Sequence, residues 1–205
     1  MKSKKHRSIT GGQAVVKILE KNRVKYVFGL IGSATMELFD ALYDNRKIKF
    51  IDVRDERTGT HIADGYARAS GKVGIMIAGQ NGPGVTNLVT GVAQAYKAFS
   101  PIITLGGDIA SDHFGKDSFQ EIDQQRLFEP ITKKTFKINN SQKIPFILDN
   151  AFNIALSGRA GPVHVNFPRD VLSKKTKFKY SIKSKKIKIP APSEKDIKKI
   201  YNQII

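Results

Sequence analysis

Four short stretches carry residues able to do chemistry. The run Arg54-Asp55-Glu56-Arg57 sets two carboxylates and two guanidinium groups at the start of a helical pattern. Acids there are favoured by the helix dipole, and the arginines can simply pair with them. The turn Gln80-Asn81-Gly82-Pro83-Gly84 places two glycines around a proline. Such a backbone is rigid and bare, so it suits close approach of a flat ligand, with free N–H groups at the following helix start. A tight strand-to-helix connection would look the same. Gly29 to Ser33 forms a second small-residue turn, and Gly106 to Gln120 reads as a polar, glycine-containing functional loop. His164 reads as an ordinary strand histidine.

The elements that must position these groups alternate along the chain. A helix follows Thr10, which fits an N-cap, and runs to about Arg23, with Val15, Val16, Ile18 and Leu19 on one face. Strands are expected at Val24–Gly29, Ile48–Val53, Val73–Ala78, Ile102–Leu105, Thr135–Ile138 and Val163–Phe167. Between them fall a helix with Met36, Phe39, Leu42 and Tyr43 inward, one from Glu56 to Ala69 closed by Gly71, one from Val85 to Ala98, a short helix after Gln120, and one from Pro145 to Ser157. Short apolar strands separated by helices predict an α/β fold: a doubly wound, mostly parallel sheet with helices on both faces. In such sheets ligands bind beyond the carboxyl ends of the strands. The glycine-rich stretches Gly29–Ser33, Gln80–Gly84 and Gly106–Asp108 are expected there.

Composition excludes several classes. The 205 residues contain no cysteine, which removes disulfides and thiolate metal sites. The four histidines have no metal-ligand spacing, and no apolar run approaches the roughly 20 residues of a membrane span. Without a secretory signal at Met1 to Arg7, a cytoplasmic location is the default. The net charge of +17 is concentrated at the ends: eight lysines lie between Lys174 and Lys188, and Lys2, Lys4, Lys5 and Arg7 crowd the start. With no nucleic-acid motif in the body, the charge reads as solvated surface rather than a nucleic-acid interface. Gly65 to Val73 (GYARASGKV) misses phosphate-loop spacing by one residue, and GQNGPG lacks Rossmann spacing.

Five co-linear segments carry a family resemblance: FGLIGSATMELFDAL (Phe28–Leu42), RDERTGTHIADGYARASGK (Arg54–Lys72), GQNGPGVTNLVTGVAQAY (Gly79–Tyr96), KDSFQEIDQQRLFEPITK (Lys116–Lys133) and GPVHVNFPRDVL (Gly161–Leu172). Together they resemble the N-terminal, pyrimidine-binding domain of thiamine-diphosphate enzymes of the acetolactate-synthase type. In the details IGSA and QNGPG the chain is more similar to sulfoacetaldehyde acetyltransferase. The resemblance implies that Glu56 is the family's glutamate that hydrogen-bonds the pyrimidine nitrogen and drives the tautomer able to deprotonate the thiazolium carbon. It implies that Leu30, Ile31, Gly32, Ser33, Gly82, Pro83 and Gly84 pack on the aminopyrimidine, with Asn87 behind. Phe119 and Gln120 match the pair that faces the reacting carbon, so Gln120 joins Glu56 as a catalytic candidate. Ser33, Phe119 and Gln120 are the implied substrate contacts. Asp55 stands where the family often has histidine, and Ile31 where it often has proline.

The resemblance further implies that the diphosphate and its Mg2+ are held by a separate domain bearing Gly-Asp-Gly, a triplet absent from these 205 residues. FAD use is left open. The expected organisation is a basic segment at 1–9, the pyrimidine-binding domain at 10–172, a lysine-rich linker at 173–192 and the start of a truncated middle domain at 193–205. The cofactor site would be completed by another copy in a homo-oligomer or by a separate diphosphate-binding subunit, with a 2-oxo acid or sulfoacetaldehyde as substrate. Three readings follow: a fragment of a larger carboligase or lyase, one subunit of a split 2-oxo-acid decarboxylase, or a non-catalytic module with a basic tail. In the first two the isolated chain is inactive.

Overall fold

The computed structural model describes residues 8–178 and 191–205. Most of the lysine-rich linker expectation and the first seven residues lie outside them.

The chain begins with α1 (Gly11–Lys21), opened by a reciprocal capping box between Thr10 and Gln13. It continues through β1 (Tyr26–Leu30), α2 (Met36–Tyr43), β2 (Lys49–Asp52), α3 (Glu56–Ser70), β3 (Gly74–Ala78), α4 (Pro83–Thr86), α5 (Val89–Ala98) and β4 (Ile102–Asp108). Then follow α6 (Gln124–Phe128), β5 (Lys134–Lys137), α7 (Ile144–Leu156), β6 (Val163–Pro168), α8 (Arg169–Ser173) and α9 (Glu194–Ile204). The strands form one six-stranded sheet of order β2-β1-β3-β4-β6-β5. Every ladder in it is parallel. The doubly wound α/β expectation holds.

Both faces of the sheet are covered. One core joins α1, α2 and α7 through residues such as Leu19, Leu38, Ile75, Ile77 and Leu148. The other lies under α3 and α5 and gathers Phe28, Ala63, Met76, Val85, Leu88 and Val92. Burial on both faces explains why β3 is apolar throughout instead of alternating, and why every residue of β4 is buried, Thr104 and Asp108 included. Full burial of side chains such as Ile75 or Ile77 contributes about 1.5–3 kcal/mol each. The chain leaves β1 for the first face and β3 for the second. The gap between these neighbouring strands is the point where the winding reverses, the usual ligand crevice of an open α/β sheet.

Three expectations are corrected. Met36 and Tyr43 do not face inward: they are 47% and 90% exposed, and Leu38 with Phe39, Ala41 and Leu42 forms the buried face. The single helix expected over Val85–Ala98 is two, interrupted at Asn87–Leu88, where the Leu88 amide reaches back three residues to Val85 O. Gly106–Asp108 is not a turn; it completes β4, paired to Asn166, Phe167 and Pro168, so the polar loop starts at Ile109.

GYARASGKV spans the end of α3 and the tight turn into β3, with Gly71 at φ +66 as its left-handed cap. It is a helix-to-strand connection, the reverse of the strand-to-helix order of a phosphate loop. Just ahead of α1, Ile9 bridges Thr176, which follows α8, in antiparallel fashion and ties both ends of the body together. Helix α9 is capped by Ser193, and none of its residues is buried.

Candidate functional site

Three loops meet at the carboxyl ends of β1, β3 and β4. The first two touch backbone to backbone. A Cβ on Gly32 would lie 2.4 Å from the carbonyl carbon of Gly79, and one on Gly79 would lie 2.1 Å from the Gly32 nitrogen. Only glycine allows this approach. The Ala34 amide donates to Gly79 O at 3.0 Å, and the buried Thr35 hydroxyl contacts Ala78 O and Gly79 O.

Glu56 enters this crevice from the first residue of α3. Asp55 caps that helix by accepting from the Arg57 amide at 2.7 Å, while the Arg57 guanidinium clasps both Asp55 oxygens. These bonds hold the Asp55 carboxyl down at about 2, and they raise Arg57 in turn. Arg54 pairs with Asp52 at 3.2 Å. The arginines thus do pair with acids, as a plain helix start would have them do, but neither pairs with Glu56.

Glu56 is instead 5% exposed, with Oε2 accepting from Asn87 Nδ2 at 2.9 Å. The break between α4 and α5 is what carries Asn87 there. Oε1 accepts no hydrogen bond among the described residues. A Cβ placed on Gly84 would lie 3.1 Å from that oxygen. The bare Gly84 therefore keeps space open beside the unengaged face of a buried carboxyl, a cradle that fits a flat donor-bearing ring.

Gly82 takes φ +55, and a Cβ there would meet Gln120 Cβ at 2.7 Å. This seats the 109–123 loop on the turn, with Gln120 itself at φ +62. Inside that loop the Glu121 carboxylate accepts from the Gly115 and Ser118 amides, which hold it below the usual range. Of the other expected contacts, Leu30 and Gly32 are half-buried, Pro83 is exposed, and Ile31 is 55% exposed on the rim. Phe119 is 82% exposed, and its backbone carbonyl accepts from Asn81 Nδ2.

Gln80 and Asn81 were not among the candidate side chains. Their turn was legible for its backbone, and their amides turn out to be its links. Ser33 Oγ bonds Gln80 Oε1 at 2.9 Å, and Gln80 Nε2 bonds Gln120 Oε1 at 2.7 Å and Asn81 Oδ1 at 3.2 Å. His164 is fully buried, between Thr104 Oγ1 at 2.9 Å and Gln124 Oε1 at 3.2 Å, stacked on Phe128. Desolvation pushes it down to about 3, so it is neutral and structural.

In doubly wound domains of this kind the winding reversal is where ligands bind. The chain belongs to the family described as thiamine pyrophosphate enzyme, N-terminal TPP binding domain, whose model matches residues 9–127. It is 47% identical over 161 residues to the probable acetolactate synthase large subunit of Methanocaldococcus jannaschii, covering 78% of this chain and 27% of that protein. It is 40% identical over 172 residues to the acetolactate synthase isozyme 3 large subunit of Escherichia coli, covering 84% of this chain and 30% of that protein. The chain is thus an acetolactate-synthase-type domain that spans about three tenths of these relatives' length. Among the described residues no helix is long and apolar enough to cross a membrane, and no group of three His, Asp or Glu could hold a metal.

Proposed function

We propose that this chain supplies the pyrimidine-side half of a thiamine-diphosphate site in an acetolactate-synthase-type carboligase, and that Glu56 is its cofactor-activating group. The observation that carries this reading is the buried Glu56 carboxyl whose Oε1 faces the space left by Gly84. When bound, the cofactor supplies a carbon nucleophile and an electron sink. Asn87 orients the carboxyl by occupying Oε2, which leaves Oε1 to share a proton with a ring nitrogen. Gly82, Pro83 and Gly84 give the ring a flat wall, and Leu30, Ile31, Gly32 and Ser33 border it from the β1 side. Gln120 and Phe119 lie on the side of the reacting carbon.

The diphosphate and Mg2+ are assigned to a domain supplied by another chain or another part of a longer one, as a homo-oligomer or a separate subunit. The uncovered apolar stripe Ile197, Ile200, Tyr201 and Ile204 on α9 supports further protein packing there. The relatives are an acetolactate synthase large subunit and a probable one, so a 2-oxo acid is placed ahead of sulfoacetaldehyde as substrate.

The test combines the chain with a diphosphate-domain partner, thiamine diphosphate and Mg2+. Turnover of a 2-oxo acid that disappears with Glu56→Gln supports the reading. Turnover that survives the substitution removes Glu56 from its role, and a combination without turnover favours the non-catalytic module.

A further inference from the structure

The side-chain amides around the crevice form a chain whose polarity is set from one end. Asn81 Nδ2 lies 3.3 Å from Phe119 O and 3.2 Å from Gln120 O. Backbone carbonyls only accept, so this end of Asn81 must be the nitrogen, and its Oδ1 must face Gln80. Gln80 then has to present Nε2, whose two hydrogens go to Asn81 Oδ1 and to the Gln120 amide. A donor meeting a donor at 2.7 Å would repel, so Gln120 turns Oε1 inward. At the far side Gln80 Oε1 accepts the Ser33 hydroxyl hydrogen.

Two consequences follow for the open surface. Gln120 Nε2 has no acceptor among the described residues and points its hydrogens outward. Ser33 has spent its only hydrogen on Gln80, so its oxygen offers lone pairs alone. We infer that Gln80 is a positioning residue that commits Gln120 to act as a hydrogen-bond donor, selecting substrates that bring an oxygen acceptor, such as the carboxylate of a 2-oxo acid, to that position. The inference rests on the proposed function for its substrate, but the order of the amides stands apart from it. The left-handed backbone of Gln120 adds to the point. A non-glycine residue at φ +62 is retained there by Asn81 bonding its carbonyl and by the bare Gly82 beneath it.

Selective 15N labelling of glutamine side chains in the chain by itself tests the order. The Gln80 NH2 protons should exchange slowly and those of Gln120 fast; a protected Gln120 NH2 overturns the inference. Gln80→Glu tests the consequence in the assembly with a diphosphate-domain partner and thiamine diphosphate. A carboxylate at position 80 has no hydrogen to give, so Gln120 should rotate, donate inward and turn its oxygen toward the substrate. The KM for the 2-oxo acid should rise about tenfold, with kcat changed less. Gln80→Met, which removes the relay without reversing it, should raise KM less than Gln80→Glu does. Equal effects of the two variants, or an unchanged KM, overturn the inference. If the unaltered assembly has no turnover, the cofactor reading fails, and the exchange pattern still decides the amide order.

Discussion

Asn87 Nδ2 donates to Glu56 Oε2 at 2.9 Å, and this bond sorts the two oxygens of one buried carboxyl into different jobs. One oxygen is anchored to the protein, and the other accepts no hydrogen bond among the described residues.

In the assembled enzyme, Glu56→Gln should lower kcat by about 100-fold or more, the scale of a lost proton-transfer group. Asn87→Ala should give a smaller loss, because the carboxyl remains but is no longer oriented. Steady-state 2-oxo-acid consumption measures both, with thermal melting of the chain as the check on folding.

Gly84→Ala should act on the cofactor and spare the fold. The new methyl would sit 3.1 Å from both Glu56 Oε1 and Gln80 Cβ, filling the space beside the carboxyl. Because alanine is favoured over glycine inside a helix, stability should change by less than about 1 kcal/mol. A thiamine-diphosphate titration of the assembly should show weaker binding at an unaltered melting temperature. An affinity equal to that of the unaltered chain would remove the cradle.

Gly79→Ala should do the opposite and damage the fold. Its methyl would fall 2.1 Å from the Gly32 nitrogen and 2.2 Å from Leu30 O, all rigid backbone. The loops after β1 and β3 must then part, at a cost of about 2 kcal/mol or more. Urea denaturation would register this as a lowered midpoint.

His164 predicts acid sensitivity. Burial depresses it from 6.5 in the unfolded chain to about 3 in the folded one. Between these values the unfolded state binds the extra proton. Its contribution to stability is therefore whole above about pH 6.5 and is lost as pH falls toward 3, at up to about 1.4 kcal/mol per pH unit. Urea midpoints from pH 7 to pH 4 should fall along this course, and His164→Gln should flatten that part of the profile while lowering stability at pH 7. A profile with the same slope in the variant would show that other groups carry it.

Much of this protein was legible from local pattern. The β-branched runs announce strands, the caps at Thr10 and Gly71 bound helices, and the family resemblance singles out Glu56, the QNGPG turn and Phe119-Gln120. Local pattern misled where tertiary contacts decide. Met36 and Tyr43 are large yet exposed, because the helix phase follows the face that Leu38 and Leu42 bury in the core shared with α1. Gly106–Asp108 looks like a turn, yet pairing with β6 extends the strand through it.

The amino-acid sequence by itself determined the α/β class, the family and the residues that border the crevice, since each of these is written in periodicity or in ordered motifs. It could not state that Glu56 turns to Asn87 and away from the adjacent arginines, nor that Gln80 and Asn81 link three loops. Those relationships join residues 31 to 47 positions apart, and they exist only because parallel strands bring their carboxyl ends together at one edge. There the donors and acceptors of each loop must be satisfied by the others, and that requirement decides which groups are left without a partner within the site.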